Sequence, residues 1–277
     1  GTTFPPTMAF GAIGDERFAY DYGRITAVEA RAIGVHLLFA PVLDVNNNAD
    51  NPVIASRSFG ADPELVARLG AAFIRGAKEG GAYTTGKHFP GHGDTSVDSH
   101  IGLPVILADR ARLNSLELIP FDRAIQEGVD AIMTAHVALP NLLGAAGPPA
   151  TLSSEILTGL LRADLAFDGV LFTDALTMRA ITDAYGIGEA SVRAVEAGAG
   201  READVGRAFS DDPRVRAQIV AGEVVAVGVA VLVDAVVADL GGADVAARVV
   251  VVAVAVVALV ESVAVVVGLV GGDGPVA

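Results

Sequence analysis

The chain contains no cysteine. That absence excludes disulfides, iron–sulfur clusters and thiolate zinc sites, and assigns no redox compartment. Basic residues are scarce: 19 Lys and Arg stand against 33 Asp and Glu, a formal net charge of −14. Nucleic acids and anionic membrane surfaces are held by cations that neutralise phosphate, so this balance disfavours both as partners. A neutral small molecule is the easier substrate to accept. No apolar run is long enough for a helical membrane span, which needs about 20 residues. The run VVVVAVAVVALV ends at Glu261, and the one before it is cut by Asp234 and Asp239. The opening residues, GTTFPPTMAFG, have neither the basic nor the apolar stretch of a signal peptide. Either the protein is not exported, or residue 1 is not the start of the gene. What the chain does have, at 277 residues and 52% hydrophobic composition, is enough apolar side chain to bury a sizeable core in one large domain or two smaller ones.

From Gly34 to about Gly198, short apolar runs alternate with amphipathic segments, the pattern of βαβ units. VHLLFAPVLDV reads as a buried strand. DPELVARLGAAFIRGAKEG reads as the following helix, capped by Asp62 with Pro63 at its first position. The alternation then repeats. GAYTTGKHF, DAIMTAHV and GVLFTDAL are predicted strands, and RLNSLELIPFDRAIQEG, LSSEILTGLLRADL and IGEASVRAVEAG are predicted helices, the second capped by Ser153 or Ser154. The four strands end in Asp44, in Lys87 with His88, in His136 and in Asp174. In a parallel α/β protein these carboxyl ends are where sites are built. From Ile219 onward the composition collapses to mostly Val and Ala, without Phe, Tyr, Lys, His or Asn. This is low complexity rather than globular usage. Many of these residues are expected to stand in for others, so no motif argument rests on the segment.

Lys87 to His100 reads KHFPGHGDTSVDSH and holds three of the five histidines in the chain. One reading is a structural loop, since Pro, Gly, Asp and His all suit turns. A second is a metal site built from His88, His92, Asp94, Asp98 and His100. Their spacing matches no familiar zinc pattern, so no metal is expected. The third takes Asp98 and His100 as an acid/base dyad in which the carboxylate orients the imidazole and stabilises its charged form. That reading requires a nucleophile elsewhere in the chain.

The run KHFPGHGDTSVDSH resembles the hallmark of glycoside hydrolase family 3, in particular its bacterial β-N-acetylglucosaminidase branch. The likeness extends from about Thr2 to Gly198 through FPPTMAFGA, APVLDVNNNADNPVIASRSFG, LELIPF, MTAHVALP, PATLSSEILTGLLR, FDGVLFTDALTM and EASVRAVEAG, in family order. The resemblance implies a TIM-type (β/α)8 barrel. The family places two further strands ahead of the FPPTMAFGA segment, so the barrel is expected to lack its first strands in this sequence. Residues 1–200 would then be the partial catalytic domain. Residues 201–277 would be the barrel end or the start of a second α/β domain, with VVVVAVAVV as a buried strand.

By the same resemblance Asp174, in FTDALTM, is the nucleophile of a retaining displacement, and His100 is the acid/base with Asp98 as its partner. Lys87, His88 and Arg57 fall on the family's sugar-contacting positions. His92, Asp94 and His136 are expected to shape the loop and strand end, and Asp44 is read as structural and left outside the core site. The implied activity is retaining exo-β-N-acetylglucosaminidase, releasing terminal GlcNAc from peptidoglycan- or chitin-derived sugars without a cofactor. The alternatives are a β-glucosidase or GlcNAc phosphorylase of the same family, or an inactive sugar-binding relative. The partner is a small carbohydrate, and the compartment is left between bacterial cytoplasm and cell envelope. The sequence does not fix the oligomeric state.

Overall fold

A computed structural model describes residues 1–200 and the backbone of two strands further along, Val254–Leu259 and Ser262–Val267. Two helices come first, α1 (Thr7–Ile13) and α2 (Glu16–Ala32), in a stretch for which the sequence reading assigns no element. Asp15 starts α2 by accepting the Arg17 N–H at 3.0 Å, which satisfies one of the donors a helix start leaves free. Asp62 does the same for α3 (Pro63–Glu79), accepting the Glu64 N–H at 3.0 Å, with Pro63 in the first turn as the sequence predicts. Helices α2 and α3 cross at backbone contact. A Cβ at Gly23 would lie 2.2 Å from the Phe73 carbonyl oxygen, and one at Gly76 would lie 2.0 Å from that of Tyr20. No side chain fits at either position.

Four parallel strands follow the predicted order: β1 (Leu37–Leu38), β2 (Tyr83–Phe89), β3 (Ala131–Thr134) and β4 (Val170–Thr173). Strand β1 is much shorter than the run VHLLFAPVLDV suggests, because Pro41 has no N–H to give to a ladder. The chain nevertheless stays beside β2. Thr85 N–H donates to the Ala40 oxygen at 2.9 Å, and Leu43 N–H donates to the Lys87 oxygen at 2.7 Å, which carries Asp44 to the end of β2. The two later strands, β5 (Val254–Leu259) and β6 (Ser262–Val267), pair antiparallel, and the sheet order is β4-β3-β2-β1-β6-β5. Among the described residues this sheet has two edges and does not close into a barrel. Strand β5 overlaps the end of the run read as a strand and continues to Leu259. The expected domain boundary near residue 200, and the rest of 201–277, lie outside the described residues.

The helix expected over RLNSLELIPFDRAIQEG forms as two, α4 (Arg110–Ser115) and α5 (Ile119–Gln126). Pro120 cannot give the i→i−4 bond that a single helix would need across the break. Asp109 caps α4 by accepting the Arg112 N–H at 2.8 Å. A short α6 (Pro140–Leu143) follows, and then a π-helix over Glu155–Asp164 where an α-helix is expected. Neither serine caps it strongly: only Ser153 makes a contact, accepting the Ile156 N–H at 3.4 Å. After β4 come α7 (Arg179–Thr182) and α8 (Ile187–Ala197). One core cluster gathers Leu43, Ile74, Phe89, Phe121 and Ile132 between β2, β3 and the helices behind them. A second, with Phe10, Phe59 and Phe73, fills the space around α1, α2 and α3. Among the described residues no helix is long and apolar enough to cross a membrane.

Candidate active site

The carboxyl ends of β1 through β4 hold the polar residues that the sequence singles out. Strand β2 ends irregularly: its ladder with β3 pairs Lys87 with Met133 and Phe89 with Thr134, passing over His88. The Lys87–His88 and Phe89–Pro90 peptide bonds are cis. Lys87 and His88 are both buried, and between them and the following loop stands Asp44, with no exposed surface. The Asp44 carboxylate accepts the His88 N–H at 3.1 and 3.2 Å, the His92 N–H at 2.7 Å and His88 Nδ1 at 2.7 Å. A carboxylate can only accept, so Nδ1 of His88 carries the proton and Nε2 is left for another partner. Burial would raise the pKa of Asp44, but His88, His92 and the backbone N–H groups outweigh it and hold the group below the ordinary carboxylate range.

Beyond Pro90 the chain turns through Gly91 and Gly93 into the loop that carries the dyad. A Cβ at Gly93 would lie 1.7 Å from the Val45 carbonyl oxygen, so the loop lies flat on the backbone next to Asp44. Asn51 staples it there, donating to the carbonyls of His92 at 2.8 Å and Gly93 at 2.9 Å. Thr95 Oγ1 lies 3.1 Å from the His92 carbonyl oxygen and 2.9 Å from His92 Nδ1, tying the ring to the backbone of its own loop. Burial, followed by the nearby His88, lowers the pKa of His92 and keeps the ring neutral. Its Nε2 lies 3.4 Å from the Ser99 hydroxyl. On the outer side of the loop Arg112 donates to Asp94 at 3.0 Å and to the buried Glu117 at 2.8 Å.

Asp98 and His100 form the predicted pair. Oδ1 of Asp98 accepts the His100 N–H at 2.8 Å and Nδ1 at 2.7 Å, which orients the ring and leaves Nε2 free of that contact. Against a desolvation that would raise it, these bonds hold the Asp98 pKa down. The imidazole itself is 62% exposed.

Asp174 follows the last residue of β4 and is partly buried, its Oδ1 accepting the Ala175 N–H at 2.8 Å. Burial would raise its pKa. The charges of His88, His136 and Lys87, with that N–H, more than offset it, so Asp174 stays ionised at neutral pH. His136 donates from Nε2 to the Ala175 carbonyl at 3.1 Å and contacts Thr151 Oγ1 through Nδ1 at 2.8 Å, holding the turn after Asp174. Lys87 is pulled down to about 8, first by burial and then by the charge of Arg57, with Asp174 and Asp44 acting the other way. Arg57 lies in a 3-10 turn, exposed, with Nη1 donating to the Val53 carbonyl at 3.2 Å. Lys87, His88, Arg57 and Asp174 thus belong to one electrostatic group at the strand ends, and the loop that carries the Asp98–His100 pair is joined to the segment after Asp174, the Ser99 carbonyl accepting the Ala180 N–H at 3.1 Å. Among the described residues no three or more His, Asp or Glu side chains converge to hold a metal ion.

The sequence reading leaves Asp44 outside the site, yet it holds both His88 and His92. Its place at the end of a strand run was the available signal. Ser99 and Asn51 gave no signal, since both act through contacts far along the chain.

Residues 1–225 match the Glycosyl hydrolase family 3 N terminal domain. "Beta-hexosaminidase A" of Pseudoalteromonas piscicida is 39% identical over 210 residues, covering 71% of this chain and 35% of that protein. Among solved structures, a glycoside hydrolase family 3 β-N-acetylglucosaminidase from Paenibacillus superposes with a TM-score of 0.70 at 53% identity, covering 72% of this chain and 38% of that one. NagZ from Neisseria gonorrhoeae, solved with N-trifluoroacetyl-D-glucosamine, superposes with a TM-score of 0.65 at 39% identity, covering 72% and 57%. The chain spans between 35% and 56% of the length of the curated relatives it matches. With the family's domain matched over most of the chain, and strand-end carboxylate, cation and histidines grouped as described, this chain belongs to glycosyl hydrolase family 3.

Proposed function

We propose that the protein is a retaining exo-β-N-acetylglucosaminidase, with the four parallel strands forming part of a (β/α)8 barrel. The observation that carries this reading is a carboxylate held ionised, Asp174, at a strand's carboxyl end, with a solvent-open His–Asp pair on a loop joined to the segment after it by the Ala180 N–H to Ser99 carbonyl bond of 3.1 Å. Asp174 attacks the anomeric carbon while His100, protonated at Nε2, gives that proton to the departing glycosidic oxygen. The products of this step are the free leaving group and an ester of the sugar on Asp174. In the second step the now neutral His100 takes a proton from water, the water oxygen attacks the anomeric carbon, and the ester bond breaks to release Asp174. Two displacements at one carbon return its original configuration. Asp98 remains ionised throughout and stabilises the imidazolium.

Lys87, His88 and Arg57 bind sugar hydroxyls: a buried cation, an imidazole with Nε2 to spare and an exposed guanidinium. The names of the relatives support N-acetylhexosamine as the sugar, and the ligand bound in the Neisseria structure supports GlcNAc. Small saccharides derived from peptidoglycan or chitin are the substrate class.

The test is to trap the ester. In His100→Ala, an aryl GlcNAc glycoside with a good leaving group forms the ester unaided, and the ester then accumulates because nothing activates water. Mass spectrometry of the digested protein should find one added N-acetylhexosamine on the peptide containing Asp174. Added sugar on another carboxylate, or none together with normal turnover, would reject the assignment. Replacing GlcNAc by glucose in the same glycoside separates this activity from a β-glucosidase.

A further inference from the structure

The Asp98–His100 pair is self-contained. Both of its hydrogen bonds span two residues of one loop, so they fix the ring relative to Asp98 but not relative to Asp174. Something else must set that second distance, and one residue of the loop tip has the contacts to do so. Ser99, between the half-buried Asp98 and the exposed His100, is 3% exposed. Its carbonyl accepts the N–H of Ala180, at the start of α7, at 3.1 Å. Its hydroxyl lies 3.4 Å from Nε2 of His92 and 3.8 Å from the Met178 sulfur.

The two contacts lead in different directions. Through Ala180 and Met178 the loop tip is tied to the segment that follows Asp174. Through His92 it is tied to Asp44, which also holds His88. We propose that Ser99 is the positioning residue of the acid/base dyad, fixing the loop tip between the segment behind the nucleophile and the Asp44 hub so that His100 stands over the scissile bond. The inference rests on the acid/base reading of His100 and adds to it the part that places the ring. Without the Ser99 hydroxyl the pair of Asp98 and His100 stays intact but spends less time in place. The loss should therefore appear only in steps that need a proton transferred.

The test uses the full-length protein and two GlcNAc substrates, one with a 2,4-dinitrophenyl leaving group and one with a sugar leaving group. Ser99→Ala should lower kcat on the sugar-leaving substrate about tenfold, with little change in KM. Formation of the ester from the dinitrophenyl glycoside should be nearly unchanged. Azide, which needs no deprotonation, should accelerate ester breakdown in the variant and yield the glycosyl azide. Ser99→Thr, which keeps the hydroxyl, should recover most of the loss. Ala180→Pro removes the other contact near the start of a helix, where proline is best tolerated, and should reproduce the same split.

Equal losses on both substrates, absence of an azide response, or wild-type behaviour in either variant would overturn the assignment. His100→Ala run alongside separates the two levels. If it shows no dependence on the leaving group, the acid/base reading itself fails. If it does and Ser99→Ala does not, only the positioning role fails.

Discussion

The site contains two His–Asp contacts of the same length in opposite surroundings. His88 Nδ1 and Asp44 stand 2.7 Å apart with side chains 6% and 0% exposed, whereas His100 Nδ1 and Asp98 stand 2.7 Å apart with side chains 62% and 28% exposed. The chemistry of the pair is shared, and burial separates the uses. In the interior the attraction is little screened, and a charge left alone is costly, so the Asp44 pair acts as a fixed support, its carboxylate accepting from His88 N–H, His88 Nδ1 and His92 N–H. Near water the same contact is weak as a brace but leaves the ring able to exchange a proton. The same His–Asp contact thus stands once in the interior and once at the surface of one site.

The largest expected effect removes the group that both pairs serve. Asp174→Ala should lower kcat by about 10⁵-fold with the protein still folded, since the covalent route is lost together with only one pocket polar group. Turnover within about tenfold of wild type would show that the two pairs surround something other than a nucleophile.

Next in size is the exposed pair. His100→Ala should cost about 10²- to 10⁴-fold on glycosides with poor leaving groups, and far less in ester formation from an activated aryl glycoside. Asp98→Asn should give a milder version and leave the thermal midpoint nearly in place. Uniform loss across leaving groups would erase the distinction between the two pairs.

The buried pair should respond in the other way. Asp44→Asn should destabilise the fold by about 3 kcal/mol in denaturant unfolding and raise KM, because the charge and one of the two oxygens that hold His88 and His92 are lost in an unscreened interior. A stable Asp44→Asn with normal KM would mean that burial adds nothing to the pair.

The smallest effect sharpens the electrostatics. With Lys87 at about 8 against 10.5 for an ordinary lysine, the charge on Lys87 fades as pH rises through about 8. KM should climb there, and Lys87→Arg should remove that limb. The linked stability has a definite sign. Between those two values the unfolded chain holds a proton that the native one has released, so stability rises with pH across that window. A flat KM profile from pH 7 to about 9 would detach Lys87 from the sugar.

Much of this arrangement was legible in one dimension. Apolar runs ending in Asp44, Lys87, His136 and Asp174 gave four strand ends in order, and the caps at Asp62 and the dyad at Asp98 and His100 are local features that a sequence displays directly. The length of β1 was not legible, since Pro41 left an apolar run that only follows its neighbour without laddering through. The break between α4 and α5 was signalled by Pro120 and overridden in reading by the amphipathic pattern around it. The hub was hidden for a different reason. Asp44 meets His88 across 44 residues, and Asn51 meets His92 across 41, so neither partner is visible until the strands lie side by side. Ser99 reads as a spacer between two conspicuous neighbours. Its burial depends on α7, which comes some eighty residues later, as its 79-residue separation from Met178 records.

Gly93 divides the loop into two territories for anyone who would rebuild it. At Gly93 the backbone leaves no room for a Cβ against the Val45 carbonyl beside Asp44, and inserted bulk displaces the acceptor of two histidines at once. At Val97 and Ile101 the side chains turn outward, 42% and 66% exposed. A protein engineer who wants a different leaving-group preference can therefore diversify the outward positions around the dyad as a library, keep Ser99 as its one inward anchor, and treat everything from Lys87 to Gly93 as fixed frame.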